Sequence, residues 1–159
     1  MSIRCSAKAL ILDEGRLLLN KCVSHAGVYY TLPGGGMHDG EILTEAVKRE
    51  VMEETGLTVT PMRLSCVFER VTQNAQGAVS AHKMYFVFLC RPDKDVPAKE
   101  PAERDLYQVG MEWLTLKQAS EAPLFPRVIR DNLPALIDYG ETLFLGSEKR
   151  GGGFENSGN

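Results

Sequence analysis

Several absences narrow this chain before any motif does. No apolar run approaches the roughly 20 residues needed to cross a bilayer. The four cysteines, Cys5, Cys22, Cys66 and Cys90, stand singly, with no CxxC pair and no histidine at zinc-site spacing. There is no basic block: 18 Lys and Arg against 21 Asp and Glu leave a net charge of −3. That balance argues against a nucleic-acid polymer as partner. Internal repeats are absent. The opening MSIRCSAKALIL lacks the charged, apolar and cleavage-site order of a signal peptide. These absences exclude a membrane-spanning helix, a zinc module and a repeat array. The expectation is a cytoplasmic protein, no membrane partner, and cysteines that serve as small core or strand residues.

What is present reads as one domain. The 159 residues can bury a core without disulfides. Ile3, Cys5, Ala7, Ala9 and Ile11 alternate with Arg4, Ser6 and Lys8, which predicts a half-buried strand. The turn DEG at 13–15 leads into a second strand, RLLLNKC. TEAVKREVMEET predicts a helix from Thr44 to Thr55, with Thr44 as N-cap and Gly56 just past its end. Strands follow at 63–71 and 82–90, the second apolar on both faces and so central. Residues 92–108 hold three prolines and many charges and read as a long surface loop. GMEWLTL returns to a strand. FPRVIRDNLPALIDYG predicts a helix started by Pro126 and kinked or restarted at Pro134. We expect a domain over 1–146 and a flexible tail over 147–159.

Two stretches go against local stability. Gly34, Gly35 and Gly36 are adjacent, and each costs more backbone entropy on ordering than any other residue. Glu50, Glu53 and Glu54 share one face of the predicted helix. Glu50 and Glu54 repel at i,i+4, and Glu53 and Glu54 sit where the helix dipole disfavours anions. A divalent cation would reverse both penalties, and an all-oxygen set suits Mg²⁺ or Mn²⁺ better than zinc. A solvated acidic face is the plain alternative.

From Gly35 to Leu57 the chain reads GGMHDGEILTEAVKREVMEETGL. This resembles the signature of the Nudix hydrolase family, GX5EX7REUXEEXGU with U a bulky aliphatic residue. Nine fixed positions match across 23 residues: Gly35, Glu41, Arg49, Glu50, Val51, Glu53, Glu54, Gly56 and Leu57. The resemblance implies an α/β fold, an α/β/α sandwich around a mixed sheet. It implies Mg²⁺ or Mn²⁺ held by Glu50, Glu53 and Glu54, with Arg49 orienting carboxylates and Glu41 bracing the glycine loop. It implies hydrolysis of a nucleoside diphosphate linked to another moiety, by attack of water on phosphorus. Gly34, Gly35 and Gly36 would let main chain face the diphosphate, and Tyr29 is a candidate for stacking on a base.

The general base stays open among Glu50 and the acids Glu100, Glu103, Asp105 and Glu112, with Glu103 and Asp105 also possible extra ligands. The family's downstream marks for ADP-ribose and dinucleoside polyphosphates are missing; Thr72, Gln73 and Asn74 stand there instead. The marks of coenzyme A and NADH hydrolases are missing too. What remains is a nucleoside triphosphate or a nucleotide sugar. A catalytically silent nucleotide-binding or sensor module is the alternative, disfavoured because all three carboxylates are retained. An enzyme of non-nucleotide diphosphates is disfavoured by the lack of a basic cluster. The apolar residues after Pro123 exceed one helix's core-facing stripe, which suggests a homodimer.

Overall fold

The computed structural model describes residues 1–104 and 106–151. Its frame begins with the alternating segment. Strand β1 (Arg4–Asp13) turns through Glu14 and Gly15 into antiparallel β2 (Arg16–Ser24). Both turn residues have positive φ, 48° and 73°, the twist a two-residue hairpin favours. The remaining elements are β3 (Gly27–Thr31), β4 (Gly34–Gly36), α1 (Leu43–Thr55), β5 (Val59–Gln73), β6 (Val79–Pro92), β7 (Gln108–Thr115), α2 (Leu116–Glu121), β8 (Leu124–Phe125), α3 (Arg127–Arg130), α4 (Leu133–Asp138) and β9 (Leu143–Arg150).

Among the described residues nine strands make one mixed sheet, ordered β8-β3-β2-β1-β6-β5-β9, with β4 beside β1 and β7 beside β2. As its two apolar faces predict, β6 is central, parallel to β1 and antiparallel to β5. Ala7, Ala9, Ile11 and Phe88 pack against Ala46, Val47 and Val51 of α1. The opposite face carries Leu10, Leu17, Leu19 and Val87, covered by Ala119, Ile129, Leu133 and Leu136 of the later helices. The expected α/β/α sandwich is therefore present.

The structure revises several local expectations. β1 is not half-buried: Ala9, Leu10 and Ile11 are all fully buried, because helices cover both sheet faces. The N-cap of α1 is Ile42 rather than Thr44, and the Glu45 carboxylate accepts the Ile42 N–H at 3.2 Å. Gly56 ends the helix as expected, at φ 73°. The C-terminal helix is restarted at Pro134 as expected, dividing into α3 and α4 with Pro134 in the first turn of the second. Residues 147–150 are not tail, since β9 runs to Arg150 parallel to β5; residues 152–159 lie outside the described residues.

The apolar surplus that suggested a homodimer is largely used inside the chain. Leu124, Ile129, Leu133 and Leu136 are fully buried, while Phe144 is 66% exposed. The four cysteines form no disulfide, and burial pushes the thiols of Cys66 and Cys90 up to about 12. No helix of the described residues is long and apolar enough to cross a membrane.

The glycine triplet is also not a loop. Gly34, Gly35 and Gly36 form β4, antiparallel to Lys8, Ala7 and Ser6 of β1. Gly34 has φ 135°, and a Cβ there would lie 2.6 Å from the Lys8 Cα. Gly36 has open space around it and no such φ. Gly34→Ala should therefore cost at least about 2 kcal/mol, from strain at a disfavoured φ and overlap with β1. Gly36→Ala should be neutral or stabilising by about 0.5 kcal/mol. Urea denaturation of the two variants checks this contrast.

Candidate active site

Two glycines of β4 are bare for different neighbours. At Gly34 the neighbour is β1, whose Lys8 sends its stem across the glycine and donates from Nζ to the Gly34 carbonyl at 2.7 Å. At Gly35 it is Glu50 of α1: an added Cβ would fall 2.5 Å from the Glu50 Cδ. The Gly36 carbonyl accepts Arg49 Nη2 at 2.9 Å. The helix and the strand thus approach more closely than any side chain would allow.

Arg49 joins these parts through its planar fork. Its Nε and Nη2 donate to the two oxygens of Glu41 at 2.8 and 2.9 Å. Its Nη1 donates to Glu50 at 2.8 Å and to Glu53 at 3.4 Å. Glu41 in turn accepts the His38 N–H at 3.0 Å, so it braces the turn after β4 as expected. The hydrogen bonds from Arg49, then that from the His38 backbone, hold the Glu41 carboxyl down at about 2. The same pairing raises the Arg49 pKa above its ordinary range.

Glu54 takes a separate path. It is 5% exposed, and its Oε2 accepts both Asn20 Nδ2 at 2.9 Å and the Gly34 N–H at 3.0 Å. Gln108 Nε2 donates to Asn20 Oδ1 at 3.2 Å behind it. Two of the donors to this buried carboxylate are neutral, a side-chain amide and a main-chain N–H. Glu50 and Glu54, one helical turn apart, are thereby drawn to different partners.

The loop after β6 is anchored on the end of α1. Lys99 N donates to Gly56 O at 2.8 Å, and Glu103 N donates to Glu53 O at 3.0 Å, occupying carbonyls that a helix end leaves unbonded. Glu103 thereby joins Glu50, Glu53 and Glu54 around one cavity of about 510 Å³, together with Gly34, Gly35, Gly36, Lys8 and Lys83. The other candidate acids are not brought there. Glu100 is exposed on the same loop and does not line the cavity. Glu112 accepts the Tyr30 hydroxyl at 2.9 Å and pairs with Lys21 at 3.3 Å, on β7. Asp105 lies outside the described residues.

An aromatic cleft of about 250 Å³ adjoins this cavity, with Lys8 and Tyr85 lining both. Phe68 and Tyr85 stack there with ring centroids 4.6 Å apart, and the Arg70 guanidinium lies 5.7 Å from the Tyr85 centroid. Tyr29 meets Phe125 edge to face at 6.2 Å on the cleft wall. Phe86 belongs to the core beside α1, as expected of a strand aromatic.

A family model of the NUDIX domain matches residues 3–136. The chain belongs to the Nudix hydrolase family. Nucleoside triphosphatase NudI of Enterobacter sp. (strain 638) is 33% identical over 122 residues, covering 71% of this chain and 86% of that protein. The mouse 8-oxo-dGDP phosphatase NUDT18 is 39% identical over 85 residues, covering 53% of this chain but only 23% of that protein. The crystal structure of the MutT protein from Bacillus halodurans superposes with a TM-score of 0.71 at 23% identity, covering 89% of this chain and 86% of that one. That likeness carries the fold alone.

Nudix hydrolases generally use divalent metals. Among the described residues no three acidic, imidazole or thiol side chains are drawn into a closed ligand set. Arg49 holds Glu50 and Glu53, and Asn20 holds Glu54. The chemistry of the cavity nevertheless fits a hard cation, with four carboxylates around one space. Sequence reasoning missed Asn20, Gln108 and Lys8. For Asn20 the signal was a neutral amide following three leucines in the strand-like run RLLLNKC; Lys8 and Gln108 carried none.

Two outcomes follow from these contacts. Glu54→Ala leaves the Gly34 N–H and the Asn20 amide without their acceptor and should cost about 1–3 kcal/mol of stability. Glu54→Gln keeps an acceptor in place and should cost much less; chemical denaturation distinguishes the two. The Glu41 carboxyl, at about 2 in the fold against an ordinary 4.5, favours the folded state fully above pH 4.5 and loses that contribution as pH falls toward 2. Glu41→Gln should flatten that part of the acid unfolding curve, measured as urea midpoint against pH.

Proposed function

We propose that this Nudix hydrolase is a divalent-metal-dependent pyrophosphohydrolase of nucleoside diphosphate derivatives, with nucleoside triphosphates as the favoured class. The observation that carries this reading is the junction of the two cavities. An aromatic cleft able to stack a base opens directly onto a carboxylate cavity, so one molecule with a base and a phosphate chain can occupy both. The similarity to a nucleoside triphosphatase over most of that protein's length supports the triphosphate over the nucleotide sugar.

In this reading Glu50, Glu53 and Glu54 hold Mg²⁺ or Mn²⁺, and Glu103 is placed to complete the set. When bound, the cation neutralises charge on phosphoryl oxygens and acidifies water. Arg49 fixes the Glu50 rotamer from one oxygen while Gly35 leaves room beside the other. That restraint favours Glu50 as both ligand and proton acceptor over Glu103, whose loop is tied to α1 through its backbone. Retention of all three signature carboxylates gives a silent sensor no support.

A panel of nucleoside triphosphates, nucleotide sugars and other diphosphates with Mg²⁺, read by phosphate release after phosphatase coupling, tests the class. Turnover of the triphosphates is expected; no turnover across the panel would overturn the proposal. Glu53→Gln should lower turnover about a hundredfold or more and weaken Mn²⁺ binding in calorimetry. Glu50→Gln should lose at least about a hundredfold in rate. If Glu103→Gln alone shows that loss with metal affinity intact, the loop acid is the base instead.

A further inference from the structure

The carboxylate cavity poses a charge problem that the signature does not solve. Glu50, Glu53, Glu54 and Glu103 line it, and Arg49 is already committed to Glu41, Glu50 and Glu53. A phosphate chain entering this space needs cations that carboxylates do not hold. Two are present. Among the described residues neither Lys8 nor Lys83 has a carboxylate oxygen within the 4.0 Å of a salt bridge, and the Lys8 ammonium has one partner, the Gly34 carbonyl. An ammonium carries three donors, so Lys8 keeps two for an incoming oxyanion.

Their positions differ in a way that gives the site a direction. Strand register pairs Lys83 with Arg4 and Tyr85 with Ser6, and Lys8 lies further along β1 on the same sheet face. The two lysines are thus four residues apart along parallel strands, about 13 Å at the rise of a strand. Lys8 lines both the aromatic cleft and the carboxylate cavity. Lys83 lines the carboxylate cavity and a further polar cavity of about 890 Å³ that holds Arg4 and His38. One lysine therefore stands on the base side of the carboxylates and the other on the far side.

Resting on the nucleotide reading above, we propose that Lys8 binds the phosphate next to the nucleoside and Lys83 the distal phosphates. The cleaved bond then lies between them. In a triphosphate, water adds to one phosphorus of the α–β bridge and the bridging oxygen leaves with the other. The products are a nucleoside monophosphate at Lys8 and pyrophosphate at Lys83, with the water's proton released. Gly34 takes on a specific role in this arrangement, because a side chain there would displace the Lys8 stem.

Equilibrium binding of the two products tests the assignment without turnover. Deoxynucleoside monophosphates and inorganic pyrophosphate are titrated separately into wild type, Lys8→Met, Lys8→Gln and Lys83→Met in Mg²⁺ buffer, with thermal melting to confirm folding. Lys8→Gln retains a donor for the Gly34 carbonyl but not the charge, and serves if Lys8→Met is unstable. Loss of a charge-assisted contact should weaken binding by about tenfold or more. Both Lys8 variants are expected to lose monophosphate affinity and to keep pyrophosphate affinity within about threefold; Lys83→Met should do the reverse. An exchanged pattern, or equal effects on both probes, would overturn the direction. Unchanged binding of both probes in all variants would overturn the lysine roles altogether. A wild type that binds neither probe would instead sink the nucleotide reading itself.

Discussion

The guanidinium of Arg49 is the contact on which this site depends. Four hydrogen bonds to three carboxylates and a fifth to a main-chain carbonyl bring α1, the turn after β4 and β4 itself to one group. Without a delocalised cation among them, Glu41, Glu50 and Glu53 would repel and the turn would have little to hold it. A lysine could not substitute, since its point charge cannot present parallel donors to both Glu41 oxygens. The strain of a like-charged helix face is thus largely met within the fold, and what remains is available to a bound cation.

A second constraint is distance. The helix can carry its carboxylates to the cavity only if it lies almost against the main chain of β4, and β4 only if it lies against β1. Gly35 permits the first approach and Gly34 the second. β1 then divides its labour by alternation. Ala7, Ala9 and Ile11 bind α1 to the sheet, while Ser6 and Lys8 line the carboxylate cavity. The small residues on one face and the long cation on the other have a common origin in the pleat of a single strand.

The loop after β6 shows how a charged, proline-rich segment can be placed without regular structure. Its amides meet the Glu53 carbonyl in the last turn of α1 and the carbonyl of Gly56 just past it, groups that a helix end must satisfy somehow. Docking there delivers Glu103 to the cavity and makes Gly56 a seat for Lys99 as well as a helix stop.

Much of this protein was legible in the order of its residues. Alternation marked β1, two-faced apolarity placed β6 at the centre, and the spacing of Glu50, Glu53 and Glu54 announced a carboxylate face, because pleat and helix periods are local properties. The signature from Gly35 to Leu57 carried the family, and with it Arg49 as the orienter of carboxylates and Glu41 as the brace of the turn; that these two pair with each other is read from the structure. Local rules failed where another element supplied the partner. They made Gly34 to Gly36 a loop because glycine propensity is blind to β1, and they ended the domain before residues 147–150 because β5 pairs that segment from far away in sequence. They could not show that Leu124, Ile129, Leu133 and Leu136, among the apolar residues after Pro123, cover the sheet's second face. Which acid joins the cavity, and which lysine stands at which end of it, depends on contacts between residues distant in the chain, and only the packing of the sheet decides those.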